Sequence, residues 1–198
     1  MSDETEAYRR LLAEHRRTQE QVRLLQRLLH LCGAPDEFAQ VFDGVLDGAM
    51  DFFGAHSGAL YMFDADDDVL YFATARGPKA EEVLALDITI KPGQGLAGSA
   101  FLNNETIAVS DAHKDARFAR EISDAVGYEV KSMLTAPIVC DGAPLGVLQV
   151  INKRGGDAFE PHEVELMRQL GRYAGGIIGL GIELQAAHAA AADGGEEG

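Results

Sequence analysis

Two apolar segments joined by Asp141-Gly142 constrain the fold of this chain more than any other feature. Residues 131–140 and 143–152 are rich in apolar and β-branched side chains, and each has the length of a strand. An Asp-Gly dipeptide between two such runs favours a tight turn whose two residues adopt positive φ angles. The sequence therefore predicts a β-hairpin here, and with it an antiparallel sheet.

A second hairpin is predicted earlier in the chain. Residues 57–63 and 69–75 are short aromatic and apolar runs on either side of an acidic turn, 64–68. The four Asp residues of this turn resemble a calcium loop, but the central Gly and the distal Glu of an EF-hand are missing, which favours a solvated turn. Shorter strands are expected over 86–90 and 106–109.

A long helix is predicted at the N-terminus. Residues 4–31 contain no Gly or Pro, and helix-forming side chains dominate. With Tyr8 as the first position of a heptad, an apolar seam runs along the helix and strengthens toward its end. Such a seam packs on a partner helix or on its own domain, and we favour a dimer interface. The seam residues assigned to it are Leu11, Val22, Leu25 and Leu29.

Further helices follow. Residues 37–53 carry apolar side chains at intervals of three and four, so this helix is expected to bury one face. Short helices are predicted over 96–102 and 120–126. The last helix is expected to begin near Pro161, a favourable first-turn residue, and to run to about Ala192.

Glycines in this last helix need an explanation. Gly171, Gly175 and Gly179 are spaced by four residues, and each costs a helix about 1 kcal/mol relative to Ala. Such a cost is offset when another backbone approaches closely. We expect that backbone to be a second subunit's helix, which adds these glycines to the dimer interface. The alternative is packing against the domain's own sheet.

Charge and cysteine content exclude several classes of protein. The 198 residues include 17 Lys and Arg against 32 Asp and Glu, a formal charge of −15, so neither nucleic acid nor an anionic membrane is an expected partner. Cys32 and Cys140 are too few for a disulfide framework, which suits a reducing cytoplasm. No signal peptide is visible, and the longest apolar run is about half of the ~20 residues that a membrane span needs. A cytoplasmic location is predicted.

The order of elements predicts an α+β fold with an antiparallel sheet, helices on one face and irregular loops on the other. Residues 1–32 form a coiled-coil-like helix. Residues 33–182 form one domain, whose C-terminal helix continues to about 192. Residues 193–198 are a Gly-rich acidic tail that is expected to be disordered.

Four ordered sequence blocks resemble the GAF domain family. They are 92–98 (PGQGLAG), 111–118 with its Asp-Ala-Arg-Phe, 131–138 (KSMLTAPI) and 146–153 (GVLQVINK), with Phe159 beyond them. With the preceding helix and hairpin, the resemblance covers about residues 33–182. It implies a six-stranded antiparallel sheet of the GAF/PAS-like kind, with helices packed on one face. On the other face it implies a loop-helix layer, residues 91–130, that covers a pocket.

The resemblance also implies dimerisation through long N- and C-terminal helices, and a small molecule bound between the sheet and the loop-helix layer. Phe118 is expected either to stack on that ligand or to plug the layer. The expected ligand-binding residues are Tyr61, Thr74, Asp111, Arg117, Phe118 and Ser132.

A cyclic nucleotide is one candidate ligand. GAF domains that bind cyclic nucleotides carry Asn-Lys, then Phe, three residues and Asp-Glu. Asn152, Lys153 and Phe159 match that motif, whereas the acidic pair falls on Glu163 and Val164. The missing carboxylate weakens this reading without removing it.

Catalysis is poorly supported by the sequence. Free methionine sulfoxide reductases share the fold but need pocket cysteines, and neither Cys32 nor Cys140 matches. His113, with Asp111 and Asp115 beside it, is a weak candidate for a haem or iron ligand. No phosphate loop or Gly-x-Ser-x-Gly nucleophile motif is present. We therefore expect no catalytic residue, metal or cofactor.

These observations favour a non-catalytic sensory and regulatory module that binds a small molecule. No kinase, cyclase, phosphodiesterase or DNA-binding segment is recognisable, so the signal is expected to pass through a helical homodimer interface to a signalling protein in trans. The alternative is a ligand-free dimerisation or scaffold protein. A third hypothesis is an enzyme acting on a small oxidised metabolite.

Overall fold

The structure, a computed structural model, describes residues 38–155 and 158–193. Its helices are α1 (Phe38–Phe53), α2 (Ala80–Ala85), α3 (Gly95–Asn103), α4 (Glu121–Val126) and α5 (Pro161–Asp193), with a 3-10 turn at Ala112–Lys114. Its strands are β1 (Ala55–Asp64), β2 (Val69–Arg76), β3 (Thr89–Ile90), β4 (Ile107–Val109), β5 (Met133–Cys140) and β6 (Ala143–Lys153). The predicted N-terminal helix and residues 194–198 lie outside the described residues.

The six strands form one antiparallel sheet in the order β3-β2-β1-β6-β5-β4, which confirms the predicted fold class. Both predicted hairpins are present. In the β5–β6 turn Asp141 and Gly142 have φ angles of 49° and 85°, the pairing of positive values that a tight hairpin turn requires. The predicted strand over 86–90 shortens to Thr89–Ile90, and the short helix α2 precedes it.

Helices α1 and α5 cover one face of the sheet, the helix face. The apolar periodicity of α1 puts Val45, Leu46 and Ala49 in a continuous core with Leu60 and Leu148 of the sheet, and all five are fully buried. Burying a side chain such as Leu46 contributes about 1.5–3 kcal/mol. This core fixes the sheet as the rigid base of the domain.

The glycines of α5 explain how closely this helix approaches the sheet. A Cβ atom at Gly171 would overlap the carbonyl oxygen of Pro137, and one at Gly175 would overlap the backbone of Val139. At Gly179 a Cβ atom would overlap the Cys140 side chain instead. The backbone that lies against Gly171 and Gly175 is therefore that of the domain's own β5, which is the alternative to a second subunit's helix.

Helices α3 and α4 and their connecting loops lie over the opposite face, the pocket face. Two smaller apolar clusters attach them. In one, Phe101 of α3 packs its ring on Phe63 of β1 at 4.5 Å between centroids. In the other, Leu96 and Ala100 meet Met133 at the start of β5. The layer is thus anchored along α3.

A bulge in β2 decides which side chains face this layer. Leu60 pairs with Thr74 and Tyr61 pairs with Phe72, so Ala73 is an extra residue in β2. A bulge interrupts the strict alternation of side chains along a strand. Phe72 therefore stays on the pocket face, whereas Thr74 turns to the helix face and donates a hydrogen bond to Asp43 of α1 at 2.6 Å.

Candidate functional site

A cavity of about 240 Å³ lies between the pocket face of the sheet and the loop-helix layer. Its floor is formed by β1, β2 and β6, and α3, α4 and the segment before α4 form its roof. Helix α2 and the residues after it border it on the third side. The volume is somewhat below the ~300–1,000 Å³ range of drug-sized ligand sites, so the cavity suits a small molecule.

The glycines of residues 93–98 allow the roof to approach this cavity. Gly93 and Gly95 have positive φ angles, which glycine adopts at little cost. A Cβ atom at Gly98 would overlap the carbonyl oxygen of Lys91, and the Gly98 carbonyl accepts a hydrogen bond from Gly93 N–H at 2.8 Å. The tight turn brings the start of α3 to the cavity.

The N-terminus of α3 borders the cavity with its backbone. Gln94, the N-cap residue, and Gly95, Leu96 and Ala97 all line it. No side chain caps this helix, and the first-turn N–H groups of a helix have no acceptor within the helix. These donors, with the partial positive charge of the helix end, lie in a roof that also contains Glu121 and Ser123 of α4 beside its apolar side chains.

The walls of the cavity are mainly apolar and aromatic. Phe72 and Phe118 present rings, and Ile122, Val130 and Met133 present aliphatic side chains or thioether. The Tyr61 and Phe72 rings are 4.5 Å apart and tilted by 44°. Such walls favour a ligand with a large apolar or aromatic surface.

A polar chain crosses the floor of the cavity. Gln149 Nε2 donates to Thr135 Oγ1 at 2.8 Å. The Tyr61 hydroxyl lies 3.5 Å from Gln149 Oε1, at the outer limit of hydrogen bonding. All three side chains are buried, and burial raises the pKa of Tyr61 well above its usual value. Tyr61 therefore stays a neutral hydroxyl.

A second polar group holds one end of the cavity. Ser57 Oγ donates to the Tyr128 hydroxyl at 2.9 Å, and Asn152 Nδ2 donates to the same oxygen at 3.2 Å. Asn152 Oδ1 accepts from Lys131 N–H at 2.7 Å. These bonds tie the segment before β5 to the sheet and position the Tyr128 ring as part of the wall.

Three charged side chains border the cavity, those of Arg76, Lys79 and Glu121. The Arg76 guanidinium contacts Asp43 at 2.7 Å and Asp47 at 2.9 Å on the helix face. Burial pushes the pKa of Asp43 upward, but hydrogen bonds from Thr74 and Arg76 outweigh it and hold that pKa below its usual value. Lys79 forms an exposed ion pair with Glu82 at 2.9 Å.

Two of the residues predicted to bind a ligand, Tyr61 and Phe118, line the cavity. The other four are not among its lining residues. Thr74 is on the opposite face because of the bulge at Ala73. Ser132 is buried and its hydroxyl accepts from Lys153 N–H at 3.2 Å.

The remaining two lie in the exposed part of the loop layer. Asp111 pairs with Lys114 at 2.7 Å. Arg117 holds both carboxylate oxygens of Asp115, at 2.9 and 2.7 Å. The hydrogen bonds from Arg117 lower the pKa of Asp115 to about 2. Each guanidinium or ammonium thus already has a carboxylate partner within the loop.

Sequence reasoning missed Gln149 and Tyr128 as cavity residues. The sequence did contain an indication that Gln149 is special, because Gln149 is the one amide in the apolar run Val147–Ile151 of a central strand. A buried polar side chain in such a strand needs a partner or a function. Tyr128 follows an irregular segment whose path the sequence does not specify.

The Asn-Lys/Phe/Glu motif joins the end of β6 to the start of α5. Lys153 Nζ contacts Glu163 Oε2 at 2.6 Å and lies 5.6 Å from the centre of the Phe159 ring. The same Glu163 oxygen accepts from Glu160 N–H at 2.7 Å and so caps the helix. Val164, in place of the second carboxylate, packs partly buried against the core.

Among the residues that the structure describes, groups that carry redox or metal chemistry do not converge on the cavity. Cys140 is a free thiol at the β5–β6 turn, and burial, followed by the charges of Asp141 and Glu183, raises its pKa. Cys32 lies outside the described residues. Within residues 38–155 and 158–193, no three His, Cys, Asp or Glu side chains are grouped as a metal site requires.

None of the helices within residues 38–155 and 158–193 has the length and apolar content of a membrane span.

The chain matches the family model of the GAF domain over residues 37–178. Among curated proteins, the chain is 39% identical over 101 residues to a cGMP-specific 3′,5′-cyclic phosphodiesterase of Drosophila melanogaster. That match covers 50% of this chain and 9% of the phosphodiesterase. The chain therefore spans about a tenth of the length of the curated relatives it matches.

Solved structures share the fold. The GAF domain of a phosphoenolpyruvate-protein phosphotransferase from Coxiella burnetii matches with a TM-score of 0.72 at 18% identity, covering 85% of this chain and 98% of that one. A free methionine-R-sulfoxide reductase from Neisseria meningitidis, solved with its substrate, matches with a TM-score of 0.66 at 17% identity. That match covers 81% of this chain and 89% of the reductase.

Proposed function

Since this chain belongs to the GAF domain family, we propose that it is a non-catalytic sensory module that binds a small molecule in the cavity beneath α3 and α4. The cavity itself carries the proposal, because about 240 Å³ of space is left between two layers that are joined elsewhere by apolar clusters. Its walls combine apolar rings with a few buried polar groups, which is the usual composition of a small-molecule site.

Relatives of this chain support a nucleotide-type ligand as one candidate. The curated relatives are named as cGMP-specific phosphodiesterases, and the uncapped start of α3 presents N–H donors at the cavity. Cys140 lies at the β5–β6 turn, outside the cavity lining. A reductase that uses a pocket thiol is therefore not the function that we favour.

The signal would leave the domain through its terminal helices. Tyr173 and Leu180 of α5 are about half exposed and lie seven residues apart, so they fall on one stripe of the helix. We propose that this stripe, with the N-terminal seam of Leu11, Val22, Leu25 and Leu29, forms a homodimer interface. Ligand binding would favour one packing of these helices and so alter a signalling protein bound in trans.

A ligand screen tests the sensory function. Thermal-shift and native mass spectrometry experiments on the full chain, against cyclic nucleotides and other metabolites, should find a compound that raises the melting temperature. Ala97→Leu fills the cavity from α3 and should abolish the shift, whereas Ala108→Leu, on an exposed edge strand, should preserve it. A chain that binds nothing at millimolar concentrations would instead be a ligand-free dimerisation or scaffold protein.

The oligomeric state is tested separately by light scattering. Charge in the apolar seam should separate the protomers, so the double substitution Val22→Asp with Leu25→Asp is expected to give monomers. Tyr173→Asp with Leu180→Asp should do the same through α5. A wild-type chain that is monomeric at micromolar concentrations would refute the dimer.

A further inference from the structure

We propose that the Asp141-Gly142 bond in the β5–β6 turn is a site of spontaneous isoaspartate formation, whereas the Asp-Gly bonds of α1 are protected from the same reaction. The chain contains four Asp-Gly bonds, at 43–44, 47–48, 141–142 and 193–194. The first three lie within the described residues. They share one dipeptide and differ in their surroundings, so the fold decides which of them reacts.

An Asp-Gly bond rearranges with water as its only reagent. The glycine nitrogen attacks the side-chain carboxyl carbon of Asp, and the amide proton leaves with the carboxyl hydroxyl group as one molecule of water, which closes a succinimide ring. Water then opens this ring at either of its carbonyl groups. One opening restores Asp, and the other gives isoaspartate, whose main chain runs through the side-chain carbon. Nothing is oxidised or reduced, and glycine favours the attack because no Cβ atom crowds its nitrogen.

Both reacting groups of the β5–β6 turn are accessible. Asp141 and Gly142 are exposed, and a Cβ atom at Gly142 would meet no atom within 4 Å. Among the described residues, none forms a hydrogen bond or an ion pair with the Asp141 carboxylate, and none accepts a hydrogen bond from Gly142 N–H. No contact in that part of the chain therefore has to break before the nitrogen meets the carboxyl carbon.

The turn must open for the ring to close, because closure requires rotation about the bond between the Cα and the carbonyl carbon of Asp141. The turn holds Asp141 and Gly142 at φ angles of 49° and 85° and is closed by the pair Cys140–Ala143. An exposed hairpin end opens at a small cost in free energy, whereas opening of a packed helix approaches the cost of unfolding the domain. The turn therefore reaches the reactive geometry far more often than α1 does.

The Asp-Gly bonds of α1 are restrained at both reacting groups. The glycine amides of both bonds lie within the helix, where each N–H donates to the carbonyl four residues earlier. The Asp43 carboxylate accepts a hydrogen bond from Thr74 at 2.6 Å and contacts Arg76 at 2.7 Å. Asp47 contacts the same guanidinium at 2.9 Å. Neither the nitrogen nor the carboxyl group is available until the helix unfolds.

Isoaspartate at position 141 would disturb the contact between β5 and α5. The turn between the two strands consists of residues 141–142 alone, and isoaspartate adds an extra carbon to its main chain. Val139 and Cys140 precede the turn and lie against Gly175 and Gly179 of α5. A longer turn displaces the end of β5 relative to the helix, so the modified domain should be less stable.

Incubation of the full chain at neutral pH and physiological temperature tests the site. Peptide mass spectrometry with electron-transfer fragmentation locates isoaspartate, and a protein isoaspartyl methyltransferase with labelled S-adenosylmethionine measures its total amount. Isoaspartate should form at position 141 at least about tenfold faster than at position 43 or 47, because of the difference in opening free energy. Equal rates at the three positions, or no isoaspartate at position 141, would overturn the proposal.

The same incubation in urea separates the fold from the local sequence. The unfolded chain exposes all three bonds, so their rates of isoaspartate formation should become similar. A preference for position 141 that is as large in urea as in the native chain would show that neighbouring residues select the site. That result would overturn the protection of α1 by its fold.

Two variants assign the reaction to the turn. Gly-Gly and Asn-Gly both suit a tight hairpin turn, so Asp141→Gly and Asp141→Asn should fold. Asp141→Gly removes the carboxyl group and should abolish isoaspartate at the turn. Asp141→Asn should form it faster than wild type, because an uncharged amide closes the same ring by losing ammonia. Slower formation in Asp141→Asn than in wild type would argue against attack by Gly142.

Ageing experiments test the consequence for α5. The melting temperature of incubated wild type should fall as the isoaspartate fraction rises. Asp141→Gly, incubated in parallel, should keep its melting temperature. A wild-type chain that carries isoaspartate at position 141 and melts at an unchanged temperature would overturn the predicted displacement of β5 from α5.

Discussion

The backbone of Gly175 in α5 lies against the backbone of Val139 in β5, so closely that a Cβ atom at position 175 would overlap the Val139 carbonyl group. The contact is between two backbones, and neither can move aside as a side chain does. It sets the distance between the helix and the sheet along this part of α5. The neighbouring Gly176 points to open space and offers a matched comparison.

These two glycines should respond oppositely to the same change. Gly176→Ala should stabilise the domain by about 0.5–1 kcal/mol, because alanine is the better helix former. Gly175→Ala gains the same helix propensity but forces the helix away from β5, and overpacking costs about 1–3 kcal/mol. Urea unfolding measures both changes in the free energy of unfolding. Equal effects at the two positions would contradict the close packing of α5 on β5.

Loss of the Lys153–Glu163 ion pair should be costly. The side chains are only 20% and 13% exposed, and a hydrogen bond to a charged group contributes about 1.5–3 kcal/mol. Lys153→Met should lower the free energy of unfolding by about that amount. Lys79→Met is the control, because its pair with Glu82 is on the surface and such pairs contribute at most about 1 kcal/mol.

Asn152 should tolerate Gly better than Ala. Its φ angle is 58°, a left-handed conformation that glycine adopts freely and alanine adopts at a cost of about 1–2 kcal/mol. Both substitutions remove the hydrogen bonds to Tyr128 and to the backbone of Lys131. The free energy of unfolding, measured by chemical denaturation, should therefore be highest for wild type, lower for Asn152→Gly and lowest for Asn152→Ala. The reverse order of the two variants would argue against a left-handed Asn152.

Asp115 should contribute a pH-dependent part of the stability. Its pKa in the folded protein is lowered from 3.8 to about 2 by Arg117, so the unfolded chain takes up the proton first as the pH falls. The contribution is complete above about pH 4 and is lost between pH 4 and pH 2. The difference in unfolding free energy between wild type and Asp115→Asn should shrink over that interval.

Arg117→Met serves as the partner control for this titration, because it removes the cation and leaves the carboxylate in place. In a chain that carries Arg117→Met, the difference in unfolding free energy between the form with Asp115 and the form with Asp115→Asn should no longer change between pH 4 and pH 2. A difference between wild type and Asp115→Asn that stays constant from pH 5 to pH 2 would show that the Arg117 contact does not perturb this carboxyl group.

The sequence predicted most of the sheet because its signals are local. The Asp141-Gly142 turn and the apolar alternation on either side specify a hairpin without reference to the rest of the chain. The apolar spacing in α1 identifies its buried face in the same way. Helix α2 escaped prediction because it buries none of its residues and so shows no helical apolar periodicity.

The site was less predictable because its residues depend on non-local geometry. Tyr61 is on the pocket face by simple alternation along β1. Thr74 would share the pocket face with Phe72 by the same alternation, and only the extra residue, Ala73, turns it away. Arg117 and Asp111 satisfy their charges with neighbours in the loop, which is decided by the path of an irregular segment.

Both margins of the sheet are short: β3 has two residues and β4 has three. A strand from another molecule would find only a few free backbone groups at either margin, and short outer strands are one way in which proteins resist edge-to-edge aggregation. Growth of the sheet into a larger β-assembly is therefore disfavoured. Short margins favour association through side-chain packing, where individual substitutions can tune the strength of the contact.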